Sequence, residues 1–487
     1  MADEPKITVI PGDWCHPLSL GPVKQVLRFV QDCDDYTKEL RATYQSPVFK
    51  AHPGIASTFI TDMAGLDYVF DAPPEELDRL DGDPGFGGLA FNTDTLDGVV
   101  PALMAHAGNH GPAREVVVEA MKLRRDFFEP ACLKVLHYGV PMLRVASRGE
   151  KVNFQHALHH AAVGIAFEWL FGITPGPEGA AAQGWIKACF GLKADHALAN
   201  VVARGASGLK GRLTNGPASV HRKYGKRWMD EIRRSAPFQE QFKRLKVVAS
   251  GAVPERDLPA HLMFAASFNS TGGAWSTLHP ALAQLSVDAV TRARLAQELK
   301  DFHDAIKADE DQPGTIRKLD QLPFLEAFFL ESMRLFGRPR HYYRRARKTF
   351  DLPISAPPGE APRVVEIKEG TTLCLVATVA RQDRTVWGDD ASVFDPERYL
   401  RDDLEVQGAL LRGEIRRPLR ERVRAFGPSP GGKNAYGCAG GDVGKMLWKT
   451  LAAALGRSTD WQLSPWPEPD VDAFDGVRPG EFDWIRR

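Results

Sequence analysis

From about residue 110 onward the chain is written mostly in helical periodicity, and that restricts it to a mainly α fold. Apolar residues recur at helical spacing through "REVVVEAMKLRRDFFEPACLKVL" and "FQHALHHAAVGIAFEWLFG". They do so again in "PAHLMFAASFNSTGGAWSTLHPALAQL", "LPFLEAFFLESMRLFG" and "GDVGKMLWKTLAAALG". A glycine-rich break, "ARGASGLKGRLTNGP", reads as a surface loop between helices. The β content is small. "SPVFKAH" and "STFITDM" alternate like strands around a Pro53-Gly54 turn, and "TFDLPI", "RVVEIKEG" and "TTLCLVATVA" supply short pieces after Gly337. No internal repeat or low-complexity linker divides the sequence. The expectation is one large domain over residues 1–487, mainly α with a small β region.

At 487 residues the chain exceeds the size at which one hydrophobic core usually stops growing, so a core built around a cofactor is one solution. Lys plus Arg equals Asp plus Glu at 62 each, which argues against a nucleic-acid partner. The cysteines, at 15, 33, 132, 189, 374 and 438, form no C-x-x-C pair; a zinc ribbon is excluded and a reducing compartment is expected. "MADEPKITVIPGDW" has no apolar signal region, and no apolar run is long enough to span a bilayer. A soluble, cytoplasmic protein is expected.

The stretch "FGPSPGGKNAYGCAGG" admits two chemistries. Gly427 to Lys433 spells most of a P-loop, but Asn434 follows the lysine where Ser or Thr would hold magnesium. The preceding "RRPLRERVRA" is basic where an apolar strand would be needed. Cys438, just before a helix, lies at the positive end of that helix's dipole, where backbone N–H groups stabilise a thiolate. Glycines around it let the backbone wrap a bulky planar group. From this loop alone the cysteine is a heme ligand, a nucleophile or a small buried residue in a turn.

Two further motifs bear on the choice. "FLESMRLF" places Glu331 and Arg334 at i, i+3 on one side of a helix, and "FDPERYL" follows some sixty residues later. E-x-x-R, then P-E-R-[FY], then a glycine-rich C-x-G loop, in this order, resembles the cytochrome P-450 superfamily. The resemblance implies the P-450 fold enclosing heme b, with Cys438 as axial ligand and Gly440 as the loop glycine. It implies a buried triad of Glu331, Arg334 and Arg398 bracing that loop. His110 and Arg114 in "HGPAR" are similar to the family's propionate-facing H-x-x-x-R pair, and Arg344 in "YRRA" to its propionate-pairing arginine. The loop departs from the pattern at Gly431, Asn434 and Tyr436, where the ordinary family has Phe, Gly and a basic residue.

The resemblance also bears on the reaction. Monooxygenases of this superfamily carry an acid–alcohol pair that relays protons to bound O₂. Here "AASFNSTGG" puts Asn269 and Ser270 in those places, and an amide cannot ionise. "FNSTGG" resembles instead the F-N-x-x-G-G signature of allene oxide synthases, hydroperoxide lyases and divinyl ether synthases. That branch implies a fatty-acid hydroperoxide, a lipophilic substrate, cleaved without O₂ or reductase. The alternative is a monooxygenase hydroxylating a lipophilic substrate with separate redox partners. His156 and His160, at i, i+4, lack a third metal ligand and read as a polar helix face. Arg338, Arg340 and His341 are candidates for a fatty-acid carboxylate or for surface and propionate roles. A heme-binding sensor would need an output module, and none is expected.

Overall fold

The computed structural model describes residues 33–52, 56–79, 107–139, 151–173, 221–307, 315–337, 340–355, 363–411, 418–427, 437–457, 459–464 and 483–486, with shorter pieces elsewhere; for some, residues 268–276 among them, it describes the backbone alone. The helices that position the site are α1 (Ala107–Leu123), α2 (Phe128–Gly139), α3 (Phe154–Phe171), α4 (Leu258–Phe264), α5 (Ser270–Val287), α6 (Ala289–Lys307), α7 (Pro323–Phe336), α8 (Glu397–Leu411) and α9 (Gly441–Gly456). In α7 only Pro323 and Glu326 escape burial. A helix covered on every side belongs at the centre of the bundle. It packs against α5, α6, α8 and α9. Phe328 and Phe329 meet Trp448 of α9 at ring separations of 5.4 and 5.2 Å.

The long run expected between residues 114 and 136 is broken. After α1 the chain passes through a 3₁₀ turn, Arg125–Phe127, before α2 begins. At the break a reciprocal pair of bonds reaches α3: Arg124 Nε donates to the Trp169 carbonyl at 2.9 Å, and Trp169 Nε1 donates to the Arg124 carbonyl at 2.6 Å. That indole claims a carbonyl that a continuing helix would use. Between α4 and α5 the backbone opens into a π-helical segment, Ala265–Asn269. Such single-turn widenings concentrate at functional sites.

The larger sheet contains β1 (Val48–Ala51), β2 (Ser57–Ile60), β3 (Leu77–Arg79), β4 (His341–Ala346) and β7 (Thr372–Val376), in the order β1-β2-β7-β4-β3. A smaller sheet pairs β5 (Phe350–Ile354) with β6 (Arg363–Ile367) and Lys6–Ile7. In the larger sheet β2 runs parallel to β7, and the other neighbours pair antiparallel. β2 is buried along its whole length rather than alternating, because β1 and β7 flank it and aromatic rings stack on it. The strand β4, "HYYRRA", has no counterpart in the sequence expectation: its arginines disguise a strand that lies inside the sheet. The Pro53-Gly54 turn and the "ARGASGLKGRLTNGP" loop lie outside the described residues. Among the described residues, no helix is long and apolar enough to cross a membrane.

Candidate heme site

The E-x-x-R pair is fully buried, and the structure brings Arg398 to it. Arg334 grips Glu331 with both Nε and Nη2 at 2.7 Å, and Arg398 Nε reaches the same carboxylate at 3.2 Å. Glu331 also accepts the Asp395 N–H at 2.9 Å and the Tyr399 hydroxyl at 3.2 Å. A buried carboxylate is tolerated only when its lone pairs are filled in this way. Arg334 directs further N–H bonds to the carbonyls of Arg381 at 3.1 Å, Ala391, and Val393 at 3.0 Å.

From there a continuous path of hydrogen bonds reaches Cys438. Arg381 Nη2 donates to the Arg424 carbonyl at 2.9 Å, which also accepts the Gly427 N–H at 3.0 Å. The carbonyl of the intervening Phe426 accepts the Cys438 N–H at 3.1 Å. Arg424 holds a left-handed φ of 49° and pairs with Asp71. The Phe426 ring stacks on Phe329 of α7 at 6.0 Å. A Cβ at Gly441 would stand 3.1 Å from that ring, so the first residue of α9 is held to glycine by close approach. Position 440 is looser: a Cβ there would stand 3.5 Å from the Met121 sulfur of α1, an ordinary contact.

Cys438 itself is surface-accessible, yet burial pushes its thiol above the ordinary value. The Gly440 N–H and the Arg114 guanidinium pull the thiol back toward ionisation, while Asp442 opposes them. Arg114 lies on α1 one turn after His110, which is buried. Its Nη1 pairs with Glu115 at 3.2 Å, while its Nε is buried with no hydrogen-bond partner among the described residues. Arg344, on β4, is buried and donates from Nη1 to the Tyr343 carbonyl at 2.8 Å.

Asn269 is the last residue of the π-helical segment and Ser270 the first of α5; their side chains lie outside the described residues, as do those of His156 and His160. Arg338 and residues 428–436, with most of the P-loop-like run, lie outside too. Arg340 is already engaged: it pairs with Asp34 at 3.3 Å inside the protein, so a substrate carboxylate would have to displace that partner. His341 Nδ1 lies 3.9 Å from Cys33 Sγ. No group of three or more metal-ligating side chains occurs among the described residues. Sequence reading missed Tyr399 on Glu331 and the Arg381–Arg424 link. Tyr399 at least had a signal, standing next to Arg398 in "PERYL".

An accessible thiol supported by an amide and a guanidinium, beside a buried arginine nitrogen with no partner among the described residues, fits an iron porphyrin with its carboxylates. Comparison with known proteins agrees. The epoxyalcohol synthase of Ectocarpus siliculosus is 24% identical over 498 residues, covering 98% of this chain and 97% of that one. A mitochondrial hydroperoxide bicyclase of the same organism is 25% identical over 94% of this chain and 86% of its own. Another from Plasmodiophora brassicae is 25% identical over 93% and 78%. The family model described as Cytochrome P450 matches residues 260–410, which take in Asn269, Glu331, Arg334, Arg344 and Arg398 and end before Cys438. The chain thus carries a cytochrome P450 match over residues 260–410, and members of that family bind heme b through a cysteine thiolate.

Proposed function

We propose that the chain, as one heme-enclosing domain over residues 1–487, rearranges or cleaves fatty-acid hydroperoxides without O₂ or a reductase. The observation that carries this is similarity along nearly the whole chain to an epoxyalcohol synthase and two hydroperoxide bicyclases. Heme held by Cys438 would supply a ferric iron backed by a thiolate, the chemistry needed for one-electron cleavage of a peroxide O–O bond. Cys438 is the ligand, and the Gly440 N–H and Arg114 stabilise its negative charge. His110, Arg114 and Arg344 face the propionates. The Glu331–Arg334–Arg398 triad holds the Cys438 loop through the Arg381 and Arg424 carbonyls.

Asn269 is a neutral amide at the end of the π-helical segment. It donates a hydrogen bond to the peroxide oxygen and passes on no proton, with the Ser270 hydroxyl beside it in sequence. Withholding the proton suits homolysis: the substrate keeps both its oxygens and serves as its own oxidant. Mixing heme-loaded protein with a polyunsaturated hydroperoxide, without reductant, tests this through loss of the diene absorbance. Asn269→Ala should slow turnover about 100- to 1000-fold, as loss of a positioned donor does, and leave the heme spectrum unchanged. Negligible reductant-free turnover across several hydroperoxides, with NAD(P)H-dependent hydroxylation once redox partners are added, would replace this reading with the monooxygenase one. A cytoplasmic location is a separate proposal. Two relatives are named as mitochondrial, and imaging a fluorescent fusion against a mitochondrial marker decides it.

A further inference from the structure

Among the described residues, Gln45, Ser250 and Arg424 hold a positive φ without being glycine. Each follows a helix end, where a left-handed residue closes the last turn and glycine is the usual choice. Gln45 and Ser250 are exposed, but Arg424 is buried. A residue with a Cβ leaves this conformation unless its surroundings hold it there. Arg424 also belongs to the basic run "RRPLRERVRA", which the heme contacts do not otherwise explain.

Its guanidinium is met by one helix, Met63–Asp71. Nη2 pairs with Asp71, Nε lies 3.7 Å from an Asp67 carboxylate oxygen, and the Phe70 ring centroid lies 5.7 Å away. Asp67 and Asp71, at i and i+4, share a face of that helix. The helix is itself fixed at its start. Asp62 accepts the Gly65 N–H at 3.3 Å, and Asp383 accepts the Met63 N–H at 3.1 Å.

The backbone of the same arginine opens the turn that reaches Cys438. The Arg424 carbonyl accepts the Gly427 N–H at 3.0 Å, which closes four residues into a turn. Within that turn the Phe426 carbonyl accepts the Cys438 N–H at 3.1 Å, and the Phe426 ring lies against Gly441 of α9. The Glu331 triad acts on this turn from the carbonyl side, through Arg381. Helix Met63–Asp71 acts on it from the side-chain side. If φ at Arg424 left the left-handed region, the Phe426 carbonyl would swing away from Cys438.

We propose that Arg424 is a positioning residue for Cys438. Its ion pair with Asp71, supported by Asp67, holds a left-handed turn whose Phe426 carbonyl orients the Cys438 backbone, and with it the sulfur. This role rests on Cys438 as the heme ligand and is independent of the hydroperoxide reading.

The test compares heme-loaded Arg424→Met, Arg424→Gly and Asp71→Ala with wild type, each checked for wild-type circular dichroism. In the heme that stays bound, the reduced, CO-bound spectrum gives the ratio of thiolate-type to thiolate-free Soret band. A role in overall stability alone would lower heme content and melting temperature without moving that ratio. Removing what holds a left-handed residue disfavours its conformation by roughly five- to thirtyfold, so Arg424→Met should lower the ratio by about that factor. Asp71→Ala should lower it by less, because Asp67 remains. Arg424→Gly should keep the ratio near wild type, since glycine takes a positive φ without an anchor. A wild-type ratio in Arg424→Met overturns the proposal. So does an Arg424→Gly variant as defective as Arg424→Met, because the effect would then lie in the side chain and not in the turn. Should Arg424→Met fail to fold, Asp71→Ala, at an exposed position, takes its place. A thiolate-free band already present in wild type fails the assignment of Cys438 and this role with it. Poor hydroperoxide turnover with the spectral pattern as expected counts against the proposed reaction and leaves this role standing.

Discussion

Glu331→Gln is the sharpest perturbation of the scaffold behind the site. The carboxylate receives Arg334 on both oxygens, Asp395 N–H and Arg398 on Oε1, and Tyr399 on Oε2. A glutamine must place an NH₂ against some of these donors. It does least harm at the Oε2 position, where the Tyr399 hydroxyl can turn to accept, but Arg334 Nε is then left facing another donor. The substitution also leaves two buried guanidinium groups sharing no anion inside the core. Breaking a buried pair in this way costs roughly 3–5 kcal/mol. With an unfolding entropy of about 2.1 cal/mol/K per residue over 487 residues, that lowers the melting temperature by about 3–5 °C. Heme content should fall as well, because Arg334 orients the Arg381 carbonyl at the start of the path to Cys438. Arg398→Met should be milder, since Arg398 touches Glu331 through one nitrogen at 3.2 Å and has half-exposed Asp390 as a second partner at 3.4 Å. The assay is thermal melting with heme-to-protein absorbance for wild type and both variants. Full heme loading in Glu331→Gln with melting within about 1 °C of wild type would refute the bracing argument. So would a larger loss in Arg398→Met.

Two predictions accompany it. Reduced, CO-bound protein should show the red-shifted Soret band of thiolate ligation, and Cys438→Ser should lose that band while remaining folded; a histidine-type spectrum in the parent would end the assignment of Cys438. Asp62 is buried beside Asp383 and its pKa is pushed up to about 6 by that burial, so its stabilising contribution is full below about pH 4 and is lost as pH rises through about 6. The stability of wild type minus that of Asp62→Asn should therefore fall by up to about 3 kcal/mol between about pH 4 and pH 7, and a flat difference would contradict the burial argument.

What could be read from the sequence was whatever a few adjacent residues determine. Glu331 and Arg334 share a helix face by spacing alone, and the structure adds only that the face is buried. The start of α9 after Cys438 follows from the glycines preceding an amphipathic run. The π-helical turn at Ala265–Asn269 was invisible for a physical reason: one shifted hydrogen-bond register leaves the apolar pattern of "HLMFAAS" intact. β4 was missed because "YRRA" looks solvated until its position between β3 and β7 is known. The Arg381–Arg424–Phe426–Cys438 path depends on backbone carbonyls brought together across the chain, and carbonyls carry no residue identity to read. Charge balance behaves similarly. The net charge of zero suggests that every cation finds an anion, but pairing is local. Arg381 is buried, with two tyrosines and another arginine acting on it, a setting that only the folded chain shows.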